Sequence, residues 1–171
     1  MSEGILLAKV ARGTLLAEEE RLARLREALP QIEAVLEGEE DAVAVQATLA
    51  CLLWEALPQA NWCGFYRRVA DQLLAVGPYQ GGMGCLRIPF DKGVCGACAR
   101  TGLTQRVPDV HAFPGHIACD GATRSELVIP VRVGGCWWRY WTWIAPTWMG
   151  SRPPRPGSWR VSWPAASPLG R

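Results

Sequence analysis

Only the first 135 of the 171 residues have a composition from which a soluble domain can be built. Beyond them seven of the nine tryptophans lie between Trp137 and Trp163, six of the thirteen prolines lie between Pro146 and Pro168, and no Asp, Glu or Lys follows Glu126. A slip of reading frame accounts for this change. Tryptophan has a single codon, so the frame that joins the last base of each codon to the first two of the next is partly fixed by the genetic code. Beneath Cys136 to Ile144 that frame encodes Leu-Val-(Ala or Glu)-apolar-Leu-Asp-apolar-Asp, an apolar run ending in two alternating carboxylates. A buried strand that delivers acids to a pocket has this pattern. The expected organisation is therefore one α+β domain over residues 1–135, lacking its last strand, and an out-of-frame tail over 136–171.

The formal charge of +2 misleads for the same reason. Residues 1–136 hold 13 basic and 16 acidic groups, a balance of −3, whereas the tail adds five arginines and no acid. A nucleic-acid partner is thus not expected from charge. The first residues lack the pattern of a secretion signal, being broken by Lys9 and Arg12, and no run approaches the roughly 20 apolar residues of a membrane span. A cytoplasmic protein with no membrane contact is expected. Seven cysteines there imply reduced thiols rather than a disulfide scaffold, some of them free for redox or metal chemistry.

Apolar positions recur at helical spacing from Thr14 to Leu36, where Pro30 should break or kink the helix. Asp41 stands as an N-cap before a second helix that ends at Pro58. Short β-type runs follow at NWCGFYRR, QLLAVGPYQ, GCLRIPF, TQRVPDV and SELVIPVRV, separated by Gly, Pro, Asp and Asn. KGVCGACARTG between the third and fourth reads as a short helix stopped by Gly102, and HAFPGHIACDGATR as a loop. These elements predict an α+β fold, in which N-terminal helices pack on a mainly antiparallel sheet of five to six strands.

Cys85 precedes a strand, Cys95 opens the short helix and Cys119 lies in the loop, with His116 three residues before it and Asp120 beside it. A helix N-terminus favours thiolate, which suits Cys95 for redox exchange. Cys51 and Cys98 sit in apolar helical patterns as small buried hydrophobes, Cys63 could be either, and Asp109, His111 and His116 read as loop-ordering residues.

From about Trp54 to Val131 the motifs NWCGFY, GPYQG, RIPFDKGVCGACARTGLTQRVPDVHAFPGHIACD and SELVIPV resemble the free methionine-R-sulfoxide reductases, which are GAF-domain enzymes. The resemblance rests on KGVCG, on PDVHAFPGHIACD and on cysteine spacings of ten and twenty-four residues. It implies that Cys119 attacks the sulfoxide sulfur, that Cys85 resolves, and that Cys95 is an accessory or alternative resolving thiol. Trp62 and Tyr66 match the aromatic wall around the substrate, and Glu126 matches an acidic substrate contact. The family carries two further aspartates on the next strand. Here Trp141, Thr142, Trp143 and Ile144 stand in their place, and the offset frame beneath them reads Asp-apolar-Asp.

Sulfoxide reduction needs a soft nucleophile at sulfur and a proton donor at oxygen, which a thiolate and a carboxylic acid supply without metal or organic cofactor. Carboxylates crowded into a small pocket repel, so one stays protonated and serves as the acid. Cys119 would become a sulfenic acid, Cys85 would condense with it, and a thioredoxin-like dithiol would reduce the disulfide. The resemblance also allows a homodimer. Two rival readings are a metal site built from Cys85, Cys95, His111, His116 and Cys119, and a non-catalytic GAF sensor for a small molecule.

Overall fold

The structure is a computed structural model and describes residues 5–131. The expectation of an out-of-frame tail at 136–171 lies outside these residues.

Helix α1 (Glu18–Leu36) starts with three glutamates, and the Glu20 carboxylate accepts the Ala17 N–H at 3.1 Å, so negative charge meets the free donors of the first turn. It runs through Pro30 without the break expected from the sequence. Pro30 and Arg26, whose carbonyl loses its amide partner, are both exposed, so water can serve that oxygen. Helix α2 (Ala42–Ala56) is capped by Asp41, whose Oδ1 accepts from the Val43 and Ala44 amides at 2.9 and 2.7 Å. The two helices bury Leu25, Ala28 and Ile32 against Leu52, Ala56 and Leu57.

Strands β1 (Trp62–Ala70), β2 (Leu73–Gly81) and β3 (Arg87–Pro89) form an antiparallel sheet in that order. Helix α2 lies against β1 and β2, where Phe65 meets Ala50. Between Gly64↔Tyr79 and Tyr66↔Val76 the register slips, which leaves Gly77 and Pro78 as an extra step on β2. A bulge tolerates a proline because the ladder there asks for no amide donor. Gly64 allows the close crossing, since any Cβ on it would run into the Tyr79 side chain.

Helix α3 (Gly93–Thr101) follows β3 and ends at Gly102, which takes φ 66° and returns its N–H to the Cys98 carbonyl at 2.8 Å. Strands β4 (Gln105–Val107) and β5 (Glu126–Val128) pair antiparallel, with Val107 opposite Glu126. Among the described residues the five strands thus fall into a ladder of three and a ladder of two. Trp62, Tyr66, Leu74 and Ile88 from the first join Val94, Cys95, Cys98 and Val128 from α3 and β5 in one core, and the functional pocket opens in this core. Cys98 and Cys63 are buried. Cys51, expected to be buried, is exposed, because it points away from the face of α2 that carries Ala50 and Leu52. No helix among the described residues is long and apolar enough to cross a membrane.

Candidate active site

The loop between β4 and β5 is pinned at several points. Asp109 accepts the His111 amide at 3.0 Å, as a turn former should, and the Val110 amide reaches the Arg124 carbonyl at 2.9 Å to close the neck of the loop. His111 Nε2 lies 3.2 Å from Arg124 Nη1, and His116 meets the His111 ring edge-on at 6.1 Å. Burial and the neighbouring His111 lower the pKa of His116, disfavouring its charged form. Further along, the Gly93 amide donates to Gly115 at 2.9 Å and docks the loop on the start of α3.

That docking lays Ile117, Cys119, Asp120 and Thr123 over a pocket whose other walls are Trp62 and Tyr66 from β1, Met83 and Gly84 from the loop after β2, Ile88 from β3, Val94 and Cys95 from α3, and Glu126 from β5. The pocket is small, with a volume of about 50 Å³. Tyr66 and Tyr79 stack on Trp62 with centroids 5.6 and 5.3 Å away, which fixes the plane of the indole. The Trp62 Nε1–H is buried and has no hydrogen-bond partner among the described residues. Gly84 leaves the space beside it: a Cβ there would sit 3.0 Å from Tyr66 Oη and 3.1 Å from Trp62 Nε1.

Cys85 and Cys119 are joined in a disulfide across the pocket mouth, with Cα atoms 5.3 Å apart. The Tyr66 hydroxyl donates to the Cys85 carbonyl at 2.9 Å and holds one side of the bridge. Asn61 holds the other, donating from Nδ2 to Asp120 Oδ2 at 2.6 Å and to Thr123 Oγ1 at 3.0 Å. Asn61, Met83 and Thr123 were not singled out from the sequence. Asn61 had a signal, as the polar residue that opens NWCGFY, but its partners lie about sixty residues away.

Deeper in, Glu126 is 7% exposed and Cys95 3% exposed, and Cys95 Sγ donates to Glu126 Oε1 at 3.4 Å. Burial lifts the Glu126 carboxyl from its ordinary 4.5 to about 7, although the thiol's hydrogen bond pulls it down. The Cys95 thiol is pushed well above its ordinary value by burial and then by Glu126. Desolvation against a carboxyl thus opposes the helix N-terminus, which by itself would favour the thiolate expected at Cys95. Burial and Glu126 likewise push Cys98 up to about 12.

The six site residues expected from the sequence therefore meet at this pocket, five in its walls and Cys85 through its bond to Cys119. The five candidate metal ligands do not converge. Two sulfurs are bonded to each other, Cys95 faces Glu126, and among the described residues no group of three or more His, Cys, Asp or Glu is arranged to hold an ion.

No family model matches the chain. Among solved structures, it is similar to free methionine-R-sulfoxide reductase from Neisseria meningitidis in complex with its substrate, with 38% identity, 80% of each chain covered and a TM-score of 0.68. The chain belongs to the free methionine-R-sulfoxide reductase family. The reductase of Staphylococcus aureus, solved in a reduced form, is 37% identical with a TM-score of 0.64 over 70% of this chain and 76% of that one. A GAF domain structure at 34% identity and TM-score 0.68, over 78% of each chain, identifies the fold as GAF. Among curated relatives, the Escherichia coli free methionine-R-sulfoxide reductase is 46% identical over 100 residues, 58% of this chain and 60% of its own length. Protein YtsP of Bacillus subtilis is 50% identical over 108 residues, 63% of this chain and 66% of its own length. The chain thus spans slightly less than two thirds of these curated relatives.

Proposed function

We propose that this chain reduces free methionine-R-sulfoxide to methionine. The observation that carries the reading is the Cys85–Cys119 disulfide at the mouth of a small aromatic pocket that also contains a buried carboxyl. In the reduced protein the Cys119 thiolate attacks the sulfoxide sulfur, its methyl and methylene groups against Trp62 and Tyr66, while a carboxylic acid protonates the oxygen. A carboxyl held at about pKa 7 gives Glu126 the proton for that step near neutral pH. Collapse releases methionine and leaves the oxygen on Cys119 as sulfenic acid. The Cys85 thiol condenses with it, the oxygen leaves as water, and a disulfide remains. A thioredoxin-like dithiol supplies the two electrons and two protons that restore both thiols.

Coupled to thioredoxin, thioredoxin reductase and NADPH, the protein should consume NADPH with the free R epimer, and much less with the S epimer or with peptide-bound sulfoxide. Equal rates on peptides would overturn the assignment. We further propose that residues after about 135 are read out of frame, with Asp-apolar-Asp beneath Trp141 to Ile144 as support. Resequencing the DNA across codons 130–140 tests this directly.

A further inference from the structure

Cys95 is a buried thiol in the pocket that the reaction above does not use. Its sulfur lies 3.4 Å from Glu126 Oε1, and Cys119 already has Cys85 as its partner. We propose that Cys95 is a positioning residue: it keeps its proton, donates it to the Glu126 carboxyl, and so fixes the direction and acidity of that group, taking no part in disulfide exchange. This rests on the reading of the pocket given above and assigns one more of its residues.

Three observations support it. Exchange requires a thiolate, and burial against a carboxyl is the environment that most disfavours one. Cys95 is placed by α3, whose Gly96 runs so close to β3 that a Cβ would lie 2.6 Å from the Pro89 carbonyl and 2.8 Å from that of Phe90. A helix seated this tightly holds its thiol at one distance from β5, which suits a hydrogen bond and not a sulfur that must travel. Thirdly, no other hydrogen bond to the Glu126 side chain is seen among the described residues. Among the described residues the titratable groups that interact with Glu126 are Cys95 and Cys98 from α3 and Tyr66 from β1, and on β4 the residue opposite it is Val107. A protonated thiol that donates to the carboxylate stabilises the charged form, so deleting it must raise the pKa of Glu126.

The test uses the full chain with carboxyl-labelled glutamate, Glu126 being assigned from Glu126→Gln, and compares Cys95→Ala with Cys95→Ser by NMR titration. In Cys95→Ala the Glu126 resonance should titrate about half a pH unit higher, whereas the serine hydroxyl should restore the wild-type midpoint. In turnover, kcat should fall about tenfold in the alanine variant with the alkaline limb of its pH profile moved up, and recover in the serine variant, with KM little changed. A redox role predicts the opposite pattern, since serine and alanine then fail alike. An unmoved Glu126 midpoint in folded Cys95→Ala, or a Cys95–Cys119 disulfide trapped during turnover, would overturn the proposal. If wild type turns over no sulfoxide, the functional reading fails while the titration still judges the thiol.

Discussion

Arg12 and Glu126 are both ionisable side chains, one exposed and one buried, and the two regions around them treat charge in opposite ways. In the helical layer the Arg12 guanidinium stacks on Trp54 at 3.5 Å and donates to the carbonyls of Trp54, Leu57 and Ala60 at 2.5, 3.0 and 2.5 Å, closing the C-terminal end of α2. Arg24 does the same for Ala8, Glu55 and Ala56. These cations are consumed by backbone oxygens of their own chain. At the pocket, among the described residues, the carboxyl of Glu126 meets a single weak thiol donor and the Trp62 indole N–H meets no acceptor. Cations spent on backbone carbonyls serve stability, whereas a buried carboxyl and an indole N–H that border a pocket suit a ligand.

The comparison breaks most severely at sulfur. Cys119→Ser should lose even a single turnover, whereas Cys85→Ser should complete one and stop at a sulfenic acid that dimedone traps. Both should melt like the reduced wild type in a thermal scan. If Cys119→Ser cycles normally, the nucleophile is elsewhere. Almost as large is the effect of the tail. Turnover by the literal chain should lie about a hundredfold below that of the chain with the single-base correction, because the two offset-frame aspartates would contribute acid and substrate contacts. Equal rates measured side by side would give the Trp-rich tail a native role.

A smaller effect separates packing from chemistry. Gly96→Ala forces a Cβ onto the carbonyl oxygens of Pro89 and Phe90 and should destabilise the fold by about 3 kcal/mol in urea unfolding, with activity falling because α3 carries Cys95. In the helical layer Asp41→Ala removes two cap hydrogen bonds and should cost about 1 kcal/mol while leaving kcat unchanged.

A dependence on pH belongs to the pocket. Glu126 binds its proton more tightly in the folded state, about 7 against an ordinary 4.5, so its stabilising contribution is full below about 4.5 and is lost as pH rises through about 7. Melting temperatures should therefore decline over that window more in wild type than in Glu126→Gln. The alkaline limb of turnover should fall near 7. Identical slopes for the two proteins would remove Glu126 from this account.

Much of the molecule was legible from residue order, because the signals are local. Asp41 caps its helix, Gly102 stops α3, Asp109 makes its turn, and each short β run appears as a strand. The family resemblance implied Cys119 as the attacking thiol with Cys85, or alternatively Cys95, as its resolving partner, and the structure joins Cys119 to Cys85. Only the tertiary structure decided the rest. Pro30 inside α1 is tolerated because it and Arg26, whose carbonyl it leaves without an amide partner, are exposed to water, and Asn61 reaches Asp120 only once the loop has folded back over β1. Cys95 is the clearest case. Its position in the first turn of a helix argues for a thiolate, but whether a thiol ionises depends on the water it loses and the charges it meets, and those are set by what packs against it from distant parts of the chain.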